Sequence, residues 1–287
     1  MDKALKQHLE YLLCVRIASV RPVSGGDISQ AYLLETETER FFCKINRTDK
    51  AYKMFLEEKK GLDAIAKTGT IATPRVLFCE ASERGGIILM EYIQPKSPSP
   101  SEMGRFGHHL AGLHQRLVGN EYGWTTDNFI GSLSQSNNLH TDWSKFYVAE
   151  RLLPQLRLAR DKNRLQKSDL PAENRLLETC QNLFPETRPS LLHGDLWSGN
   201  FLVSGEGTPY LIDPATYYGH HEVDIAMTKL FGGFGESFYR AYAEHFPPLE
   251  GEIERTEIYQ LYYLLVHLNL FGKSYYGSVK HILDRYF

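Results

Sequence analysis

The sequence predicts an α+β fold of two lobes, a small β-rich N-lobe with one helix and a larger, mostly helical C-lobe. Three observations predict it. Short β-rich runs crowd residues 31–93, three prolines interrupt the seven residues Gln94–Pro100, and helical periodicity dominates from there onward. The 287 residues divide accordingly into 1–93, a connector 94–100 and 101–287. A chain of that size can bury one large core or two modest ones.

In chain order, Ala31–Thr36 and Phe41–Asn46 are β-rich runs separated by Glu37–Arg40, which suits a hairpin. A helix follows from Asp49 to Lys67, with Ala51, Phe55, Leu62 and Ile65 as its apolar stripe. Arg75–Glu80 and Gly86–Ile93 complete the small lobe. Beyond the connector, Phe106, Leu110, Leu113 and Leu117 mark one helix. Phe146–Leu158 suggests another, which Pro154 is expected to kink, and Tyr259–Phe271 a long buried one. Within the larger lobe only Ser190–Ile212 reads as strand, a small hairpin. A cleft between two such lobes is a common nucleotide site, and the pattern matches the bilobal protein-kinase-like fold.

Composition excludes several functions. The 42% hydrophobic and 23% charged content is ordinary for a globular chain. A net charge of −3 gives no electrostatic case for nucleic acid or an anionic membrane. Met1–Glu10 lacks the apolar core of a signal peptide, and Leu261–Phe271, broken by His267 and Asn269, is too short to span a bilayer. Cys14, Cys43, Cys79 and Cys180 lie far apart with no CxxC pair, so reduced thiols in a cytoplasm are expected. The adjacent pairs His108–His109 and His220–His221 face different ways and read as non-ligands of zinc.

The chemistry concentrates in Leu191-Leu192-His193-Gly194-Asp195-Leu196-Trp197-Ser198-Gly199-Asn200 and in Asp213-Pro214. His, Gly, Asp and Asn at that spacing arise by chance with an expectation of about 0.002 in such a chain, at roughly one in twenty per position. Phosphoryl transfer needs a carboxylate to take the hydroxyl proton, and an Asn and an Asp to hold magnesium on nucleotide phosphates. Asp195 is the candidate base, and Asn200 and Asp213 are the candidate magnesium ligands. A Gly-containing turn between buried strands is the bland alternative.

Lys44 lies among apolar neighbours in its strand and is the candidate for the α and β phosphates of ATP, paired with a helix carboxylate. On a helical wheel Glu58 falls with the apolar stripe and Glu57 well off it, so Glu58 is the expected partner. Gly25 and Gly26, in Ser24–Ser29, can form a tight turn whose backbone N–H groups approach phosphate. Met90, Glu91, Tyr92 and Ile93 end the last small-lobe strand, where backbone groups can pair with adenine. Trp197 can stack on a sugar or pack beneath its own loop; it and His267 are the candidate substrate contacts. Glu222 or Asp224 can cap the helix after His221 or hold the catalytic loop, and Asp224 is taken, with His193, as structural support.

At these residues the chain resembles the fructosamine kinase (ketosamine-3-kinase) family. The similarity lies in HGDLWSGN at 193–200, Asp213-Pro214-Ala215, Tyr218-Gly219-His220, Phe231-Gly232-Gly233-Phe234, Met54-Phe55 before Glu58, and Phe271-Gly272. Kinases of the aminoglycoside and choline type share HGD and the later Asp, but not the Trp-Ser-Gly-Asn string. The resemblance implies ATP-dependent phosphorylation of a ketosamine at its sugar 3-hydroxyl, which destabilises the adduct and so removes glycation, with ribulosamines and erythrulosamines preferred over fructosamines. Several members carry a Cys after the glycines of the phosphate loop; here that position is Asp27, so no disulfide dimer through this loop is expected. Two further readings remain. One is an aminoglycoside- or choline-type kinase with an acidic floor from Glu222 or Glu252 and Glu254; the other is a nucleotide-binding scaffold without catalysis.

Overall fold

Side-chain alternation along one strand sets the two faces of the N-terminal lobe. The structure is a computed structural model and describes residues 1, 3–23, 29–82, 85–116 and 119–287. The chain runs through α1 (Lys3–Leu13), β1 (Ser19–Val23), β2 (Gln30–Glu35), β3 (Arg40–Asn46), α2 (Ala51–Lys67), β4 (Val76–Ser82) and β5 (Gly85–Glu91). The strands form one antiparallel sheet in the order β1-β2-β3-β5-β4. Successive strand residues face opposite ways. Phe41, Cys43 and Ile45 therefore pack with Leu9 and Ile17 beneath α1, while Phe42 joins Phe55, Ile88 and Met90 beneath α2. Lys44 shares that second face, in register with Ala31 and Ile88.

The C-terminal lobe continues with β6 (Pro95–Lys96), α3 (Pro100–Gln115), β7 (Asn128–Ile130), β8 (Leu133–Gln135) and α4 (Trp143–Phe146). After these come α5 (Leu153–Asp161), α6 (Glu173–Leu183), β9 (Ser190–Leu192), β10 (Phe201–Ser204), β11 (Pro209–Leu211) and β12 (Tyr217–Gly219). The last helices are α7 (Glu222–Leu230), α8 (Glu236–Ala243), α9 (Glu252–Phe271) and α10 (Tyr276–Tyr286). The main core surrounds α9, whose Tyr259, Tyr262 and Leu265 meet Trp143, Phe146 and Tyr147. Among the described residues, no helix is long and apolar enough to cross a membrane.

The α+β class and the change from β-rich to helical stand, with several local differences. The small lobe holds two helices rather than one, since α1 and β1 precede the expected hairpin, and strands β6, β7, β8 and β12 of the large lobe lie outside Ser190–Ile212. The proline-rich segment is more ordered than its composition suggests. Lys96 pairs with Val203 of β10, and Ser99 caps α3 in a reciprocal box with Glu102. Ser190–Ile212 is not a single hairpin: β10 pairs with β11, but β9 pairs with β12, because the tight turn at Gly194 throws the chain clear of its own strand. The break near Pro154 is a π-helical stretch, Tyr147–Leu152; Pro154 follows it in α5, just after Leu153 N–H bonds to Val148 O, so the widened turn falls where the proline cannot donate. Helix α9 starts at Glu252, well before Tyr259, on Gly251 in the left-handed region at φ 78°. Leu117 lies outside the described residues.

His220 and His221 do face different ways, His220 Nδ1 towards Tyr259 Oη (2.8 Å) and His221 Nδ1 towards Tyr242 Oη (2.9 Å). Burial pushes the His221 pKa down to about 3 and that of His220 well below the ordinary value. The unfolded chain protonates both below about pH 6.5, so their contribution to stability is complete above that pH and declines as pH falls towards 3. The melting temperature should therefore fall between about pH 6.5 and pH 5, and His221→Asn should flatten the slope. A melting temperature independent of pH over that window would contradict the burial of both rings.

Candidate active site

A cleft of about 710 Å³ between the two lobes collects Lys44 and Glu58 from the small lobe and Asp195, Asn200 and Asp213 from the large one. The loop after β9 carries the first large-lobe group. Its backbone is held from below by Asp224, a fully buried carboxylate on α7. Asp224 accepts from His193 N–H (2.7 Å) and Gly194 N–H (2.9 Å), and also meets His114 Nε2 at 3.1 Å. Burial alone would raise its pKa; the His114 contact outweighs that and keeps it low. Gly194 is required because the turn has φ 84° and any Cβ would come within 2.2 Å of Ala215 O.

His193 is buried and its tautomer follows from its partners. Ile212 O can only accept, so Nε2 (2.8 Å) carries the proton, and Nδ1 accepts from Asp195 N–H (3.2 Å). Burial lowers its pKa and keeps it neutral, which this arrangement needs. Thus His193 joins the loop that carries Asp195 to the chain just before Asp213.

Asn200 Nδ2 donates to Asp195 O (2.8 Å) and to Asp195 Oδ2 (3.2 Å), which leaves Asn200 Oδ1 without a partner among the described residues. Asp213 has a left-handed backbone, φ 54°, a conformation that Asp tolerates at modest cost. Burial first, then the charges of Asp213 and Asp224, push the Asp195 pKa up to about 7. Lys44 Nζ lies 2.9 Å from Glu58 Oε1 and also contacts Asp213 Oδ1. Burial opposes the Lys44 charge, but the two carboxylates outweigh it and raise its pKa. Burial likewise lifts Glu58 to about 7, against the pull of Lys44. For Asp213 burial works upward and the Lys44 ammonium wins, holding the group low.

Hard oxygen donors are what magnesium takes, usually from one or two side chains, with phosphates and waters completing the shell. Asn200 Oδ1 and the Asp213 carboxylate fit that description. No group of three or more His, Cys, Asp or Glu side chains among the described residues is arranged to hold a metal alone, in keeping with an ion completed by phosphate.

At the far end of the cleft the lining turns aromatic. Trp197 is 40% exposed, and its indole covers Gly199 so closely that a Cβ there would lie 2.3 Å from the ring. Trp197 thus packs on its own loop and also lines the cleft. His267 lies opposite in an aromatic group with Phe231 (4.8 Å between ring centres), Tyr275 (5.1 Å) and Phe271 (5.4 Å). Its Nδ1–H donates to Tyr263 O at 2.8 Å, and burial lowers its pKa, so the ring is neutral.

The sequence matches the fructosamine kinase family over residues 1–287. The chain belongs to the fructosamine kinase family. It is 38% identical to a probable ketoamine kinase of Synechocystis over 273 residues, covering 94% of this chain and 90% of that one. The chloroplastic protein-ribulosamine 3-kinase of Arabidopsis thaliana is 38% identical over 278 residues, 94% of this chain and 83% of that protein. A crystal structure assigned as a fructosamine-3-kinase from Haemophilus somnus superposes with a TM-score of 0.88 at 28% identity, covering 98% and 96% of the two chains. The fold is protein-kinase-like.

Within this fructosamine kinase fold not every candidate is accounted for by the cleft. Gly25 and Gly26, with Asp27, lie outside the described residues. Met90, Glu91, Tyr92 and Ile93 do not line the cleft. The Met90 side chain is buried beneath α2, Glu91 N–H donates to Arg75 O, and Tyr92 N–H donates to Arg40 O. Among the described residues, Ile93 N–H has no hydrogen-bond partner. None of the candidates for an acidic floor, Glu222, Glu252 and Glu254, lines the cleft: Glu222 is buried in a two-pronged pair with Arg255 (2.7 and 2.8 Å), and Glu252 pairs with Lys229 (2.8 Å).

Two residues escaped the sequence reading. Glu57 is buried although it lies off the sheet-facing stripe, because α2 is covered on a second side by the large lobe; there it accepts from Thr126 Oγ1 (2.8 Å). His114 is one turn from any recognisable motif, and only its place on the apolar side of α3 hinted at burial. Asp224→Ala would strand three buried donors and should cost about 3–5 kcal/mol of unfolding free energy, measurable by urea denaturation. Gly199→Ala should leave the fold intact but displace the indole, seen as a shift in tryptophan emission with unchanged far-ultraviolet dichroism.

Proposed function

We propose that the protein is an ATP-dependent kinase that transfers phosphate to the sugar 3-hydroxyl of a ketosamine, with ribulosamines and erythrulosamines ahead of fructosamines. The observation that carries this reading is the convergence of Asp195, Asn200, Asp213 and the Lys44–Glu58 pair on one cleft with an aromatic far end, in a chain of this family. Names of relatives supply the acceptor class; the cleft supplies the chemistry.

In this mechanism Asp195 accepts the proton of the acceptor hydroxyl as its oxygen bonds to the γ-phosphorus, and the bond from that phosphorus to the bridging oxygen breaks to release ADP. A positioned carboxylate of this kind contributes about 10²–10⁴-fold. Asn200 orients Asp195 through its Nδ2. Lys44, oriented by Glu58, holds the α and β phosphates. The exit from β5, Met90–Ile93, lies beyond the lining of that cleft and is where backbone groups would meet adenine. Magnesium on Asn200 and Asp213 would neutralise phosphate charge and favour the ionised form of Asp195. Trp197 offers a flat apolar face to the sugar, and His267 a neutral ring with Nε2 as acceptor.

An aminoglycoside-type acceptor would want carboxylates at the far end of the cleft. The carboxylates in the lining are Glu57, Glu58, Asp195 and Asp213, all near the phosphate end or tied into α2. Ketosamine therefore remains the better match. A panel of ribulose-, erythrulose- and fructose-lysine with coupled ADP detection should show ketosamine-dependent turnover. Asp195→Asn should lower kcat by about 10²–10⁴-fold with nucleotide affinity largely kept. Turnover that survives Asp195→Asn would remove the base assignment.

A further inference from the structure

The hairpin β7–β8 touches both halves of the phosphate machinery, although no motif of the sequence lies in it. On one side, just before β7, Thr126 Oγ1 donates to Glu57 Oε2 at 2.8 Å. Glu57, whose other oxygen takes Lys60 Nζ at 2.7 Å, precedes Glu58 on α2, so the Thr126 bond ties the turn that carries Glu58 to the large lobe. Lys53 Nζ also lies 6.0 Å above the Phe129 ring. On the other side the hairpin holds the loop that follows Asp213. Gln135 Nε2 donates to Ala215 O (3.1 Å) and Asn128 Nδ2 to Thr216 O (2.8 Å).

Both contacts bear on residues that need holding. The backbone of Asp213 is left-handed, a state that persists only when the surroundings determine it. Ala215 O closes against Gly194, and Ala215 N–H donates to His193 O at 2.8 Å. Helix α2 itself meets the loop, where a Cβ on Gly61 would lie 2.8 Å from Thr216 Oγ1. The hairpin is anchored in turn: Asn137 Nδ2 donates to Asn128 Oδ1 (2.9 Å) and to Thr126 O (3.1 Å), and the fully buried Arg151 donates to Asn137 Oδ1 (2.7 Å). Gln135 is also fixed by Tyr262, whose hydroxyl donates to its Oε1 at 2.6 Å.

We propose that this hairpin is a positioning bracket for phosphoryl transfer, in which Thr126 acts through Glu57 on the Lys44–Glu58 pair and Gln135 acts through Ala215 on the Asp213 loop. Thr126 is exposed, so its hydroxyl has no core to fill, and the hydrogen bond to a buried carboxylate of the other lobe is its evident role. Neither residue touches reacting atoms. The bracket sets the distance between the cation that holds the nucleotide phosphates and the carboxylate that holds their metal.

The inference rests on the kinase reading, and calorimetric binding of ADP with and without Mg2+ separates the two. Thr126→Val should keep the melting temperature and weaken Mg2+-ADP binding about threefold to tenfold, the factor one lost hydrogen bond carries; Thr126→Ser should restore it. Gln135→Met should leave metal-free ADP binding unchanged and reduce the gain that Mg2+ confers by a similar factor. Wild-type affinities in both variants, with or without a lowered melting temperature, would reduce the hairpin to scaffold and overturn the proposal. Should Gln135→Met fail to fold, Thr126→Val decides alone. A wild-type protein that binds Mg2+-ADP but turns over no ketosamine would instead overturn the acceptor reading and leave the bracket standing.

Discussion

One ammonium group joins the two lobes. Lys44 rises from the central strand of the N-terminal sheet and meets Glu58 of the same lobe and Asp213 of the other. Each of the three charges would be costly to bury alone, because removing an ion from water is opposed by several kcal/mol even after relaxation. Together they are tolerable, and the arrangement carries one negative charge more than positive. That imbalance makes the site receptive to a divalent cation. Burial lifts Glu58 to about 7, while the Lys44 ammonium holds Asp213 low. The geometry of the cleft thus follows from a local shortage of positive charge.

A second carboxylate keeps the other half of the cleft in place. Asp224 is enclosed, yet its oxygens take three donors, two of them from the backbone of the loop that carries Asp195. The loop is also held from the core, where Tyr263 Oη donates to Gly194 O at 2.9 Å. Helix α9 contributes that tyrosine and packs at the centre of the large lobe. Core packing, loop conformation and the direction of Asp195 are therefore one connected set of contacts, and damage to the core is felt at the site.

The residues legible in the sequence were those whose type and spacing the chemistry itself prescribes. Asp195, Asn200 and Asp213 sit in one local stretch, and Lys44 and Glu58 follow from a strand and a helical stripe. The fold class was legible for the same reason, since periodicity is local. Contacts between distant segments were not. Thr126 and Glu57 are 69 residues apart, His114 and Asp224 are 110 apart, and Gln135 and Ala215 are 80 apart. The helical wheel separated Glu58 from Glu57 but assumed a single buried face, and α2 has two. Nor does residue type announce a π-helical turn such as Tyr147–Leu152, which depends on how its neighbours pack.

The indole of Trp197 lying flat on Gly199 has a consequence for descent. Neither position can change freely while the other is kept: a side chain at 199 evicts the ring, and a small residue at 197 uncovers the loop. The two behave as a single heritable character. The overlap acts in one order only: a side chain can enter at 199 without displacing the ring once the indole at 197 has gone, so change at 197 opens the way for change at 199.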